Sequence, residues 1–240
     1  MTTQLYALSV DAHDPRALAR FWSGVLGFEL VDDPRDGIVL LPDDDTGFRL
    51  RYLPGGRREK IGSNQAHFDM TSQSPEHQAA TVAKVLELGG SHLDIGQGDV
   101  DHVVMADPEG NEFCVLEPGN NFLAGCPFIG AVSSDGSQAV GYFWSKALDW
   151  PLVWDQDEET AIQSPHGGPK ITWGGPPMDE REGKNRLHFD LVTPPGGDLR
   201  AEVDRLISLG AKSLDIGQGD VEHVVLADPD GNDFCVYPPR

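Results

Sequence analysis

The sequence lacks long apolar runs, a surplus of basic residues and the cysteines of a disulfide framework. No apolar run approaches the roughly 20 residues that a membrane-spanning helix needs, and the N-terminal MTTQLYALSVDAHDP has no signal-peptide core. Lys and Arg number 18 against 39 Asp and Glu, and the net charge of −21 repels nucleic acid and anionic membranes. Three cysteines are too few and odd in number for paired disulfides. We therefore expect a cytoplasmic protein with no nucleic-acid and no membrane partner.

What the sequence does contain is a long internal repeat. Residues 93–115, LDIGQGDVDHVVMADPEGNEFCV, recur as residues 214–236 with changes at four of 23 positions. Each copy is typical of a β-hairpin, because two β-prone apolar runs flank a turn that contains Pro, Gly and Asn. The 240 residues suffice for two domains, and the repeat predicts that the two halves are duplicates.

One order of elements, a strand, a helix and three strands, is predicted four times. Asp14-Pro15 and Ser74-Pro75 each place a capping residue before a proline at a helix start, and Phe21-Trp22 returns as Phe143-Trp144. The four βαβββ modules are predicted at 1–53, 65–118, 128–174 and 186–240. They predict an α+β protein whose first domain spans 1–118 and whose second spans 128–240. Residues 119–127 form the linker, and polar connections are expected at 54–64 and 174–183.

These features resemble the vicinal oxygen chelate superfamily, which includes glyoxalase, bleomycin-resistance and extradiol-dioxygenase proteins. The resemblance rests on Phe21-Trp22 with Leu26-Gly27, on the strand that opens at His67 and on the turn at 107–111, all of which recur in the second half. It is greatest to the glyoxalase-like domain branch. It implies two tandem domains whose modules form curled mixed sheets around clefts. The protein would then be a monomer with an internal pseudo-dimer or a homodimer.

The resemblance also implies positions for a divalent metal ion, which such proteins hold with His, Gln or Glu side chains. In the first half these positions carry Ala7, His67, Arg49 or Arg51, and Cys114. In the second half they carry Ile129, His188, Lys170 or Thr172, and Cys235. Each half retains one ordinary ligand, whereas a catalytic zinc ion usually takes three protein ligands. A cleft without a metal is therefore the favoured expectation.

A rebuilt metal site is the alternative. It would use His67, His102 and Cys114 in the first half, repeated as His188, His223 and Cys235 in the second. Such donors suit zinc, and iron, manganese or nickel are also possible ions. A cysteine in a strand is, however, more often a small buried apolar residue.

Several residues are expected to bind a ligand in the clefts. His67 and Asp69 share one face of a strand and could form a general base with its orienting carboxylate. The favoured alternative is a cleft-facing histidine that hydrogen-bonds a ligand or a neighbouring strand. The complete set is His67, Asp69, Arg51, Tyr52, Cys114, His188, Asp190, Trp173 and Cys235. Tyr52 and Trp173 are included because their rings could stack on a ligand. No residue is assigned a catalytic role.

Two functions follow from this interpretation. The favoured one is a binding protein that sequesters a small molecule, possibly cationic or aromatic, in an acidic-surfaced cleft without metal, as bleomycin-resistance proteins do. The other is a metal-dependent lyase, isomerase or dioxygenase of the glyoxalase type. The high negative charge favours the first, because it would attract a cationic ligand.

Overall fold

The computed structural model describes residues 2–44, 47–55, 65–178, 185–217, 219 and 221–240. Most of the connection at 54–64 and part of the one at 174–183 lie outside these ranges. Within them, no helix combines the length and the apolar character that crossing a membrane requires.

The first half contains two modules with the predicted order of elements. Module 1 consists of β1 (Gln4–Ala12), α1 (Pro15–Leu26), β2 (Glu29–Asp33), β3 (Gly37–Leu41) and β4 (Leu50–Pro54). Module 2 consists of β5 (Ala66–Met70), α2 (Pro75–Glu87), β6 (Ser91–His92), β7 (Val103–Ala106) and β8 (Glu112–Val115).

The second half repeats this order. Module 3 consists of β9 (Ile129–Ser134), α3 (Gln138–Leu148), β10 (Leu152–Gln156), β11 (Glu159–Gln163) and β12 (Lys170–Trp173). Module 4 consists of β13 (Leu187–Val192), α4 (Leu199–Leu209), β14 (Lys212–Ser213), β15 (Val224–Ala227) and β16 (Asp233–Tyr237). The predicted α+β class and the four βαβββ modules are confirmed.

The strands form two eight-stranded sheets, and each sheet takes one module from each half. Sheet A has the order β14-β15-β16-β13-β1-β4-β3-β2 and joins modules 1 and 4. Sheet B has the order β10-β11-β12-β9-β5-β8-β7-β6 and joins modules 2 and 3. The first strands pair antiparallel at the centre of each sheet, β1 with β13 and β5 with β9. Residues that the sequence analysis grouped by half must therefore be regrouped by sheet.

Helix α1 shows how the sequence produces these modules. The Asp14 side chain accepts a hydrogen bond from the Ala17 backbone N–H, Pro15 occupies the first turn, and Gly27 ends the helix at φ 78°. Trp22, 3% exposed, makes edge-to-face contacts with Phe68 and with a phenylalanine of β8. The helices and these rings build the apolar core on one face of each sheet.

The repeated hairpin turn has a structural role in the first half. Asp107 Oδ1 accepts the backbone N–H groups of Glu109 and Asn111, and Asp107 Oδ2 accepts Trp22 Nε1–H at 3.3 Å. The Glu109 carboxylate in turn accepts the backbone N–H groups of His13 and Asp14, just before α1. The turn therefore ties module 2 to the helix of module 1.

Its copy acts in the same way in the second half. Trp144 Nε1 donates to Asp228, and Asp230 accepts both the backbone N–H and the hydroxyl of Ser137, just before α3. The most strongly repeated residues of the chain thus hold the modules together.

Candidate functional site

Each sheet has a second face, opposite the apolar core, which carries polar side chains. The register places Ser9 of β1 beside His188 of β13, and Ser133 of β9 beside His67 of β5. We call this face of sheet A cleft A and this face of sheet B cleft B. They are related by the duplication of the sequence.

Each cleft contains one histidine, one aspartate and one cysteine whose donor atoms lie within 4.8 Å of one another. In cleft B, His67 Nε2 is 3.5 Å from Asp69 Oδ1, and Cys114 lies beside Asp69 on the neighbouring parallel strand. In cleft A, the corresponding distance from His188 to Asp190 is 3.7 Å. Six of the nine predicted ligand-binding residues therefore meet in two equivalent groups.

A serine holds the other oxygen of each aspartate. Ser9 Oγ donates to Asp190 Oδ2 at 2.5 Å, and Ser133 Oγ donates to Asp69 Oδ2. Both serines lie on the first strand of the partner module. Each Asp Oδ1 is thereby left directed toward its histidine.

Cleft A is closed by a cluster of arginines and tyrosines. Arg51 Nη1 donates to Asp190 Oδ2 at 3.1 Å and to the Tyr237 hydroxyl at 2.8 Å. The nearby Asp36 carboxylate, whose side chain is 1% exposed, accepts hydrogen bonds from three side chains. These donors are Tyr6, Arg49 and Arg240. The Arg240 guanidinium also lies 4.8 Å from the Tyr6 ring centroid and 4.4 Å from that of Tyr237.

The charges of this cluster correct the expectation of an acidic cleft. Burial raises the pKa of Asp36, but hydrogen bonds from Tyr6 and Arg240 outweigh that effect and lower the pKa below its ordinary value. Two carboxyl groups, those of Asp36 and Asp190, face three guanidinium groups among the described residues. The protein's acidic excess therefore lies elsewhere than in this cluster.

Cleft B lacks the arginine that closes cleft A. Thr172 occupies the register position of Arg51, beside a serine of the central strand in both sheets. The side chains of His67 and Asp69 are 31% and 15% exposed, whereas those of His188 and Asp190 are 4% and 0% exposed. Cleft B is the accessible member of the pair.

Among the described residues, Lys170 is the lysine of cleft B. It occupies the position that Arg49 occupies in cleft A. Its Nζ donates to the Phe122 backbone carbonyl and lies 4.3 Å from the centroid of the Phe122 ring. Phe122 also packs edge-to-face against Trp154, at 5.7 Å between ring centroids. Within the described part of the chain, the buried Trp154 Nε1–H has no hydrogen-bond partner. The linker therefore adds an aromatic wall to this cleft.

Sequence reasoning missed Trp154 because its face depends on a local irregularity. The register between β10 and β11 shifts between Leu152 and Trp154. Leu152 packs against the apolar core, whereas Trp154 contacts Phe122 beside Lys170. Simple alternation would have assigned both residues to the same face.

His67 is the cleft histidine with a raised pKa. Burial lowers the pKa of His67, but hydrogen bonds with Asp69 and Cys114 outweigh that effect and raise it to about 10. The imidazolium form is thus favoured at neutral pH.

Tyr52 and Trp173 are not placed where the sequence analysis expected. Each is 2% exposed and belongs to the apolar core. Tyr52 follows Arg51 directly in β4, so the two side chains point to opposite faces of the sheet. The predicted stacking role of these two rings is therefore corrected.

The proposed metal-ligand sets also change. Aspartates 69 and 190, rather than His102 and His223, complete the groups found among the described residues. The His223 ring instead packs on the Tyr237 ring, at 4.7 Å between centroids. Sheet A joins modules 1 and 4, one from each half of the chain. The candidate ligand positions Ala7, Arg49 and Arg51 therefore lie in the same sheet as His188 and Cys235. Sheet B joins modules 2 and 3, so the positions Ile129, Lys170 and Thr172 lie in the same sheet as His67 and Cys114.

The donor sets are compatible with a divalent metal ion. Imidazole nitrogen, carboxylate oxygen and thiolate sulfur are all zinc ligands, and the serine on each Asp Oδ2 supplies the outer support that such ligands commonly have. Arg51 brings a positive charge to 3.1 Å from the Asp190 carboxylate and opposes a cation in cleft A. Cleft B, with Thr172 at that position, fits a metal ion better.

Comparisons with known proteins agree with this fold. The structural match to glyoxalase I from Zea mays covers 98% of this chain and 92% of that chain, with a TM-score of 0.67 and 15% sequence identity. It matches a putative dioxygenase from Bacillus subtilis with a TM-score of 0.62 at 14% identity, covering 99% of this chain and 85% of that one. A comparison with curated proteins gave no match. The family model of the glyoxalase-like domain matches residues 7–116 and 131–237, so the chain belongs to the glyoxalase-like domain family.

Proposed function

We propose that this protein binds a small anionic molecule with an aromatic ring in cleft B. The observation that carries the proposal is the combination, on one face of sheet B, of Lys170, His67 and the Trp154 Nε1–H, which has no partner among the described residues. The sequence alone favoured a cationic ligand, and the charges within the cleft reverse that preference.

The electrostatic part of the argument rests on three side chains. The ammonium of Lys170 and the imidazolium of His67 are cationic, whereas Asp69 is the anion, and its Oδ2 already accepts the Ser133 hydroxyl. An incoming carboxylate would gain charge-assisted hydrogen bonds from the cations. The ammonium group of a cationic ligand would instead be repelled by Lys170 and His67.

The aromatic part rests on the linker. Phe122 and Trp154 present ring surface beside Lys170, and stacking on such surface adds affinity for a planar ligand. The indole N–H offers a further donor to an anionic group. Burying it without a partner costs free energy that a bound acceptor would offset.

Titration with benzoate and with benzylamine tests the proposal. We expect benzoate to bind, with weaker or no binding of benzylamine, by calorimetry. Lys170→Met should weaken benzoate about tenfold, the equivalent of about 1.4 kcal/mol. The matched control is Arg49→Met in cleft A, which should leave benzoate affinity unchanged. Preference for benzylamine, or a loss confined to Arg49→Met, would contradict the proposal.

A second candidate is a metal-dependent enzyme of the lyase, isomerase or dioxygenase type. The observation that favours it is the convergence of His67, Asp69 and Cys114 donor atoms within 4.8 Å. These residues would hold the ion, which would act as a Lewis acid on a ligand oxygen. Lys170 and Trp154 would orient the ligand in the same cleft.

Elemental analysis separates the two candidates. The enzyme candidate predicts about one zinc, iron, manganese or nickel ion per chain in untagged protein, lost on His67→Ala and retained on His188→Ala. It also predicts that EDTA lowers the melting temperature of the wild type. Metal-free protein whose melting temperature EDTA leaves unchanged would eliminate it, and the binding function would stand alone.

A further inference from the structure

A separate pocket lies at the seam between the two sheets. It is formed where β5 and β13 begin, next to α1 and the repeated turn of module 2, and it contains about 470 Å³ of empty space, part of it open to solvent. Its wall includes Trp22, Gln65, Asn111, Arg186 and Leu187, and it reaches His67 at one edge. We call it the seam pocket.

Three buried polar atoms of its wall have no hydrogen-bond partner among the described residues. They are Asn111 Oδ1 of the turn of module 2, and Gln65 Oε1 and Arg186 Nη1, whose residues directly precede β5 and β13. Native proteins seldom leave such atoms unpaired in the interior. Three of them around one cavity indicate that something polar occupies it.

The neighbours of these atoms fix which ones accept and which one donates. Asn111 Nδ2–H donates to Asp107 Oδ2 at 2.7 Å, so Asn111 must present its carbonyl oxygen elsewhere. Arg186 Nε and Nη2 donate to the Asp11 carbonyl, each at 3.2 Å, and Nη2 also pairs with Glu109. The Nη1 donor of Arg186 is left over. The three atoms are therefore one cationic donor and two amide carbonyl acceptors, and the wall also carries the carboxylates of Asp107 and Glu112.

The second half shows how the same position looks when it is satisfied. Asn232 is the repeat counterpart of Asn111, and its Oδ1 accepts the Asn185 side-chain amide at 2.9 Å. The counterpart of Asn185 in the first half is Asn64, which lies outside the described residues. Among the described side chains, none performs this role for Asn111.

We infer that the seam pocket binds the carboxamide or urea group of a small molecule. Its carbonyl oxygen would accept from Arg186 Nη1, and its NH2 group would donate to Asn111 Oδ1 and Gln65 Oε1. A carboxylate supplies no donor for these two oxygens. An ammonium ion could pair with the carboxylates of the wall, but it supplies no acceptor for Arg186 Nη1. This inference is independent of the ligand of cleft B.

Acetamide, acetate and methylamine are the probes, titrated into isotope-labelled protein and followed by NMR. We expect saturable shifts of the Asn111 signals with acetamide and none with the two ions. Gln65→Met, which removes one acceptor and keeps the side-chain size, should weaken acetamide at least threefold. Lys170→Met, which should impair benzoate binding in cleft B, should leave acetamide binding unchanged.

Three results would overturn the inference. The first is the absence of a saturable acetamide shift at concentrations that a four-atom ligand needs. The second is equal binding of acetate. The third is acetamide binding that appears only in the Asn64→Ala variant, since Asn64 itself would then fill the pocket in the native protein.

Discussion

Clefts A and B carry the same His-Asp-Cys group and the same serine contact, yet one is closed and the other is open. The difference arises on the last strands of the modules or directly after them. Arg51 in cleft A corresponds to Thr172 in cleft B, and Tyr237 corresponds to Leu116. These two differences add to the cluster of Asp36, Tyr6, Arg49 and Arg240, which makes cleft A an internal ion cluster where cleft B has an accessible surface.

The comparison also shows which kind of residue a repeat preserves. The almost identical hairpin turns provide clamps such as Asp107 with Trp22 and Asp228 with Trp144. The residues that distinguish the clefts lie largely outside this stretch. The nearly identical turn residues therefore maintain the shared scaffold, and the residues that differ between the halves make the two clefts unlike each other.

The largest expected effect is in cleft A. Asp36→Asn removes the carboxylate that balances Arg49 and Arg240, so the free energy of unfolding should fall by about 3–5 kcal/mol. Urea unfolding monitored by tryptophan fluorescence measures it. Asp32→Asn, which breaks the exposed pair with Arg16, is the control and should change stability by less than about 0.5 kcal/mol. Equal effects of the two variants would show that the cluster is not a buried ion network.

Substitution of the two residues that distinguish the clefts, Arg51 and Thr172, should have a smaller effect on stability. Arg51→Met deprives Asp190 and Tyr237 of their donor and should cost about 2–3 kcal/mol in urea unfolding. Thr172→Val at the matching position removes one hydrogen bond to Ser133, at 3.2 Å, and should cost about 1 kcal/mol. A larger loss for Thr172→Val would mean that cleft B, not cleft A, is the structural one.

The histidine of cleft B should make stability depend on pH in the basic range. The pKa of His67 is raised from 6.5 to about 10 in the folded state. Its contribution to stability is therefore complete below pH 6.5 and is lost as the pH rises toward 10. Unfolding measured across that window should show a smaller decline for His67→Gln than for the wild type. An NMR titration with a midpoint near 6.5 would refute the raised pKa.

The smallest effect on stability is expected at Trp154. Trp154→Phe keeps a ring against Phe122 and removes an N–H that no described residue accepts, so the free energy of unfolding should change by less than about 0.5 kcal/mol. Benzoate affinity should nevertheless fall about fivefold, or about 1 kcal/mol, because the donor is lost. Unchanged affinity would place the ligand away from this wall.

Local features of the fold could be read from the sequence, whereas the pairing of modules could not. Asp14-Pro15 and Gly27 mark the ends of α1 because capping depends on neighbouring residues alone. The pairing of β1 with β13 joins residues far apart in the chain, and each module carries the same apolar pattern. The ligand positions were consequently grouped by half instead of by sheet.

Part of the candidate site was within reach of sequence reasoning. The alternation of side chains along a strand predicted that His67 and Asp69 share a face. The distance of 3.5 Å between His67 Nε2 and Asp69 Oδ1 agrees with this prediction. The same rule separates Arg51 from Tyr52, which are adjacent in one strand and cannot both face the cleft. Trp154 could not be assigned by alternation, because a register shift decides its face.

The most direct test of the difference between the clefts is a crystal structure of the protein soaked with benzoate. The account predicts ligand density in cleft B, with the carboxylate near Lys170 and the ring beside Phe122 and Trp154, while Arg240 and Arg51 remain bound to Asp36 and Asp190. Benzoate found in cleft A in place of the Arg240 side chain, with cleft B empty, would contradict it.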